Sequence, residues 1–180
     1  MQTDKRTASG LVEFVKEKMV QPNIYLWGAM GQFLTSGQLD RRSARSEYWY
    51  TEEKLSVRRA LQDRGIRGYD CIGLVKCYVF HDFNQYNTQY YDSSLDMTTK
   101  VLVGREDAKK GPIDTLPEKP GLILWKEGHV GVYIGSGKVI ECTIQAPNQP
   151  NTLIGGIYET KLEERAWEKW IEYPGISYNE

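Results

Sequence analysis

The chain has 180 residues, 40% apolar and 26% charged, and its 23 basic and 24 acidic side chains leave a net charge of −1. That length suits one domain with a proper core, and the charge balance gives nucleic acid or an anionic membrane surface nothing to attract. No stretch approaches the roughly 18 apolar residues of a membrane span, so neither nucleic acid nor a membrane is expected as a partner.

The N-terminus, MQTDKRTASG, lacks the apolar region of a secretory signal. The protein is therefore expected either to stay inside the cell until released or to have lost a signal. Three cysteines, Cys71, Cys77 and Cys142, are odd in number and sparse. They exclude a disulfide framework and leave at least one thiol free. One reactive cysteine and two structural ones is the economical assignment.

In chain order, Ser9 is placed to cap a helix whose apolar residues Leu11, Val12, Val15 and Met19 recur at helical spacing, and Pro22 marks its end. The block NIYLWGAMGQFLTSG predicts tight backbone approaches rather than a regular element. Gln38 to Asp63 predicts helical pieces on the outside of the core. Asp40 to Arg67 carries eight basic and five acidic residues, interspersed as on a solvated helix face. In CIGLVKCYVF, positions 71, 74, 75, 78 and 79 make one apolar helix face, so this helix is expected to be central and buried. Asp82 to Gly111 is polar, tyrosine-rich and aperiodic, which predicts a loop. Beyond Pro112, GLILW, HVGVYI, KVIECTI and TLIGGIYET predict strands, with Gly135-Ser136-Gly137 turning a hairpin between the second and third. KLEERAWEKWIEY predicts a short helix with Leu162, Ala166, Trp167 and Trp170 on one side. Helices first and strands after predict an α+β domain with segregated layers.

Two places in this pattern carry chemistry. Asp70 precedes the buried helix as an N-cap. Cys71 then lies in the first turn, where the positive end of the helix dipole favours a thiolate. The alternative is a small buried hydrophobe. His129, one of two histidines, opens a predicted strand, and Glu141 follows twelve residues later across the hairpin. A turn with an odd number of residues sets both on one sheet face, where the carboxylate orients the imidazole. A two-residue turn sets them on opposite faces and leaves a surface histidine beside a surface glutamate. His81 reads as structural. Cys71 and Cys77, six apart, fall on different helix faces and lack short-range zinc spacing. Cys142 is expected to point into the core. No metal and no cofactor is expected.

Taken together, YDCIGLV and GHVGVYIGSGKVIEC resemble the paired signature of the NlpC family of papain-like cell-wall cysteine peptidases, a helix start with the nucleophile and a strand with the base. YLWGAMG is similar to the family's groove-lining element, and PIDTLPEKPGLILW to its entry into the strand before the base. The likeness runs from about Leu11 to Tyr173. It implies a papain-like core over residues 1–180, with the nucleophile at a central helix N-terminus packed on an antiparallel sheet. It also implies Cys71 as nucleophile, His129 as base and Glu141 as orienting third member, with Asp70, Tyr25 and Trp27 at the substrate. The implied substrate is the peptidoglycan stem peptide, cut between D-glutamate, through its γ-carboxyl, and the next diamino acid. The same triad would serve an amidase cutting between muramic acid and L-alanine, and the same fold a binding module without activity. Ile72 replaces a small residue, Ala29 a glycine, and Glu141 the commoner histidine. About 40 residues separate Gly28 from Asp70, so residues 34–66 are expected to form a helical insertion beside the groove.

Overall fold

Helix α1 (Ala8–Val20) buries Leu11, Val12 and Val15 along one stripe, in a computed structural model that describes residues 6–147, 149–150 and 152–179. Its cap is Thr7, not Ser9. Thr7 has extended backbone, and its hydroxyl accepts from the Gly10 N–H at 3.1 Å; Ser9 lies inside the first turn. The helix gives way at Gln21, which takes the extended backbone that Pro22 imposes on its predecessor.

The stretch after α1 is more regular than its composition suggests. Strands β1 (Asn23–Tyr25) and β2 (Met30–Phe33) flank β3 (Arg67–Tyr69), the first parallel to it and the second antiparallel. Strands of three or four residues are too short to show alternation, so sequence periodicity misses them. Between β2 and β3, helices α2 (Ser36–Ser43) and α3 (Glu52–Leu61) are capped by the hydroxyls of Thr35 and Thr51. Leu39, Tyr50, Leu55 and Leu61 pack there with Ile24, Leu26 and Leu34 in an apolar cluster of their own. The expectation of a solvated basic face fails for Arg42, Arg58 and Arg67, which are buried. All three turn inward because backbone carbonyls await them: Trp27 for Arg42, Tyr25 and Trp49 for Arg58, Gly31 and Phe83 for Arg67.

Helix α4 (Cys71–Val79) is buried at every position but Lys76, and packs between α1 and the main sheet. Its glycine is a requirement of that packing: a Cβ on Gly73 would overlap the Ala29 carbonyl oxygen, which already accepts from the Asp70 N–H at 2.9 Å. Gly73→Ala is expected to cost roughly 1–3 kcal/mol of stability. Urea unfolding measures this, and an unchanged midpoint would mean that the Ala29 segment yields freely.

Asp82 to Gly111 is mainly loop, as predicted, with a short helix α5 (Thr99–Gly104) and strand β4 (Lys110–Pro112) near its end. Strands β5 (Ile123–Lys126), β6 (His129–Gly135), β7 (Lys138–Thr143), β8 (Gly156–Lys161) and β9 (Lys169–Ile171) follow. They form a six-stranded antiparallel sheet in the order β4-β9-β5-β6-β7-β8. The expected C-terminal helix is absent. Leu162–Glu164 makes one 3₁₀ turn, and Lys169–Ile171 inserts between β4 and β5. Backbone pairing on both sides outweighs a weak helical spacing of four apolar residues. The fold is thus mixed α+β, helices packed on an antiparallel sheet, and among the described residues no helix is long and apolar enough to cross a membrane.

Candidate active site

The first residues of α4 are held by Asp70. Its Oδ1 accepts from the Gly73 N–H at 2.6 Å and its Oδ2 from the Gly28 N–H at 2.8 Å. One carboxylate therefore caps the helix and anchors the Trp27–Gly28 turn. Burial raises the Asp70 carboxyl, against the pull of Lys76, these two amides and Arg42. Cys71 comes next, and the nearby backbone N–H groups of Val130, Ile72 and its own residue favour its thiolate. Val130 is the second residue of β6, next to His129.

A depressed thiol pKa was the expectation here, and the structure reverses it. Burial, aided by the negative Asp70, pushes the Cys71 thiol up to about 12. The amides at the helix start act in the expected direction, but taking a thiolate out of water outweighs them. Cys71 is a protonated thiol at rest. Slow reaction with iodoacetamide at pH 7, rising about tenfold per pH unit, is the expected outcome for the substrate-free protein. A fast, pH-independent rate near neutrality would contradict it.

His129 and Glu141 meet, by a route the turn alone does not give. The hairpin turn is two residues, Ser136-Gly137, both with positive φ, as a type I′ turn requires. That length by itself sets the two side chains on opposite faces. A β-bulge between Tyr133 and Gly135 supplies the missing residue and shifts the register to Tyr133↔Val139 and Val132↔Ile140. Carried one step further, Glu141 lies opposite Gly131 and diagonal to His129. His129 Nε2 and Glu141 Oε2 are 2.6 Å apart.

Glu141 is only 1% exposed and fully engaged. Its Oε1 accepts from Thr160 Oγ1 at 2.7 Å and from Arg165 Nε at 3.0 Å. Burial pushes its carboxyl up, but the bonds from His129, Arg165 and Thr160 prevail and hold it below the usual carboxylate range. Trp167 stacks on the His129 ring at 5.7 Å, planes 16° apart. Gly131 makes room for this: a Cβ there would press on Val139 and the Trp167 ring.

Cys71, His129, Asp70, Tyr25 and Trp27 line one cleft of about 500 Å³. Glu141 stands behind His129, outside the lining. Tyr25 tilts against Trp49 at 5.4 Å. Burial, then the proximity of Cys71 and Asp70, raises its phenol well above the ordinary tyrosine range, so it stays a neutral donor. Cys142 is buried, its thiol directed at the Tyr69 carbonyl, and Cys77 is enclosed by Arg67, Asp82 and Phe83. His81 stacks on Tyr90 away from the cleft lining. Among the described residues no group of three or more His, Cys, Asp or Glu side chains is placed to hold a metal ion.

Sequence reasoning missed Thr160, Arg165, Trp167 and Trp49. Thr160 was within reach of a register argument, since β7 pairs with β8 as Val139↔Thr160 and Glu141↔Tyr158, which sets Thr160 and Glu141 on one face. Arg165 and Trp167 gave no such signal, because the segment holding them reads as helix. Comparison of the chain with protein-family models, with curated proteins and with solved structures finds no match in any of the three.

Proposed function

We propose that this chain is a papain-like cysteine endopeptidase that hydrolyses peptidoglycan stem peptides between D-glutamate, through its γ-carboxyl, and the following diamino acid. The observation that carries the reading is the buried Glu141 bonded to Nε2 of a histidine that shares a cleft with Cys71. The choice of substrate and bond follows the resemblance of YDCIGLV, GHVGVYIGSGKVIEC and YLWGAMG to the NlpC family.

With Nε2 committed to Glu141, Nδ1 is the nitrogen that receives the Cys71 proton. The sulfur attacks the amide carbonyl carbon as its S–H proton passes to Nδ1, and the carbonyl π pair becomes an oxyanion stabilised by amides at the start of α4. Glu141 offsets the charge on the imidazolium. The intermediate collapses, the C–N bond breaks, and the imidazolium protonates the departing amine. A thioester remains. His129 then takes a proton from water as its oxygen attacks that thioester, and protonation of the sulfur frees the acid and restores the thiol. The high resting pKa of Cys71 makes His129 indispensable as proton acceptor.

That raised thiol also favours a second reading, a wall-peptide-binding module without activity. Digestion of defined muropeptides followed by mass spectrometry separates the cases. New D-glutamyl ends together with free diamino N-termini support the endopeptidase. Intact stem peptides released from muramic acid indicate an amidase, and binding without any product indicates the module.

A further inference from the structure

The Trp27–Gly28 peptide in the cleft wall is gripped at both ends by groups from different parts of the chain. Its N–H, on Gly28, donates to Asp70 Oδ2 at 2.8 Å. Its carbonyl, on Trp27, accepts from Tyr50 Oη at 2.8 Å and from Arg42 at 3.2 Å. Asp70 is the cap of the helix that begins at Cys71, whereas Arg42 belongs to α2 and Tyr50 to the loop before α3. Arg42 also bonds the Gln32 amide oxygen at 3.3 Å, and that oxygen accepts from the Met30 N–H. No carboxylate pairs with Arg42 or Arg58 in any ion pair among the described residues. Burying an arginine without a carboxylate partner costs stability, and here every backbone carbonyl that Arg42 and Arg58 use belongs to Tyr25, Trp27 or Trp49, all cleft-lining residues. Gly28 has φ +75°, so this peptide plane is free to rotate unless both ends are held.

We propose that Tyr50 and Arg42 are positioning residues for the cleft: by fixing the Trp27–Gly28 peptide plane they set the Trp27 indole as the wall against which substrate packs. Trp27 is 37% exposed and lines the cleft. The segment carrying α2 and α3 then serves substrate binding rather than the chemistry at Cys71. The substrate part of this inference rests on the endopeptidase reading; the grip on the peptide does not.

Tyr50→Phe removes one donor and keeps the ring. For muropeptide cleavage the expected result is a KM raised about tenfold with kcat within about twofold, the pattern of lost substrate binding. The Gly28 amide is expected to exchange with deuterium about tenfold faster in this variant, at an unchanged unfolding midpoint. Trp27→Ala is expected to raise KM similarly, and the double variant Tyr50→Phe/Trp27→Ala to be no worse than Trp27→Ala alone, since Tyr50 acts through Trp27. An unchanged Gly28 exchange rate, a fall in kcat at constant KM, or multiplying effects in the double variant overturns the proposal. If the wild-type protein cleaves no muropeptide, the endopeptidase reading falls and the exchange rate still decides the positioning role.

Discussion

Cys71→Ala is expected to abolish release of cleaved stem peptides, by a factor of about 10⁴–10⁶ in kcat, as loss of the nucleophile does in acyl-transfer enzymes. The geometry leaves no substitute. Cys77 is enclosed by Arg67, Asp82 and Phe83, and Cys142 lies in the core against the Tyr69 carbonyl. Neither lines the cleft. The fold should tolerate the change, because the thiol makes no side-chain hydrogen bond that anchors α4; Asp70 performs that task through Gly73. Removing one buried sulfur is expected to cost about 1 kcal/mol. Cys77→Ala provides the control and should keep wild-type turnover. Product quantified by mass spectrometry at equal protein concentration is the measurement. Residual turnover above about a tenth of wild type in Cys71→Ala would remove Cys71 from the mechanism.

His129→Ala makes the complementary case. A thiol pushed up to about 12 is protonated near neutral pH, so a variant without the histidine has no acceptor for the Cys71 proton. Turnover should fall as far as in Cys71→Ala, and raising the pH towards 10 should restore part of it as hydroxide takes over. A preformed thiolate would predict no such recovery.

The sequence exposed the chemistry wherever a local rule governs it. Asp70 before an apolar helical run is a cap on sight, and the structure places its carboxylate on the Gly73 amide. Alternation in HVGVYI and KVIECTI sends Glu141 and Cys142 to opposite faces, one towards His129 and one into the core. What stayed hidden depends on partners distant in the chain. A bulge between Tyr133 and Gly135 leaves no mark in composition, yet it decides whether His129 meets Glu141. The W-E-K-W spacing suits a helix until β4 and β5 supply hydrogen bonds on both sides. The burial of Arg42 and Arg58 rests on carbonyls that converge only after folding. Helix-dipole reasoning gave Cys71 the wrong sign because it weighed a favourable field without the desolvation set against it.

Glu141 tests orientation and charge separately. Glu141→Gln keeps the volume and one acceptor oxygen but removes the negative charge facing the imidazole. Its kcat is expected to fall by about 10²–10⁴, the range for neutralising the carboxylate of such a triad. Glu141→Ala does more. It leaves Thr160 Oγ1 and Arg165 Nε without their carboxylate in a site where Glu141 itself is almost wholly buried. Breaking one side of a buried ionic network costs about 3–5 kcal/mol, so the alanine variant should lose stability as well as turnover. The pH dependence has a fixed sign. Because the folded protein holds this carboxyl below the usual range, its contribution is fully present above the unfolded value of about 4.3. It is lost as pH falls below that value and through the lower folded one. The stability gap between wild type and Glu141→Gln, measured by urea unfolding, should therefore be wide at pH 7 and narrow progressively below about pH 4.3. A gap that stays constant through acidification would mean that Glu141 acts by its shape and not by its charge.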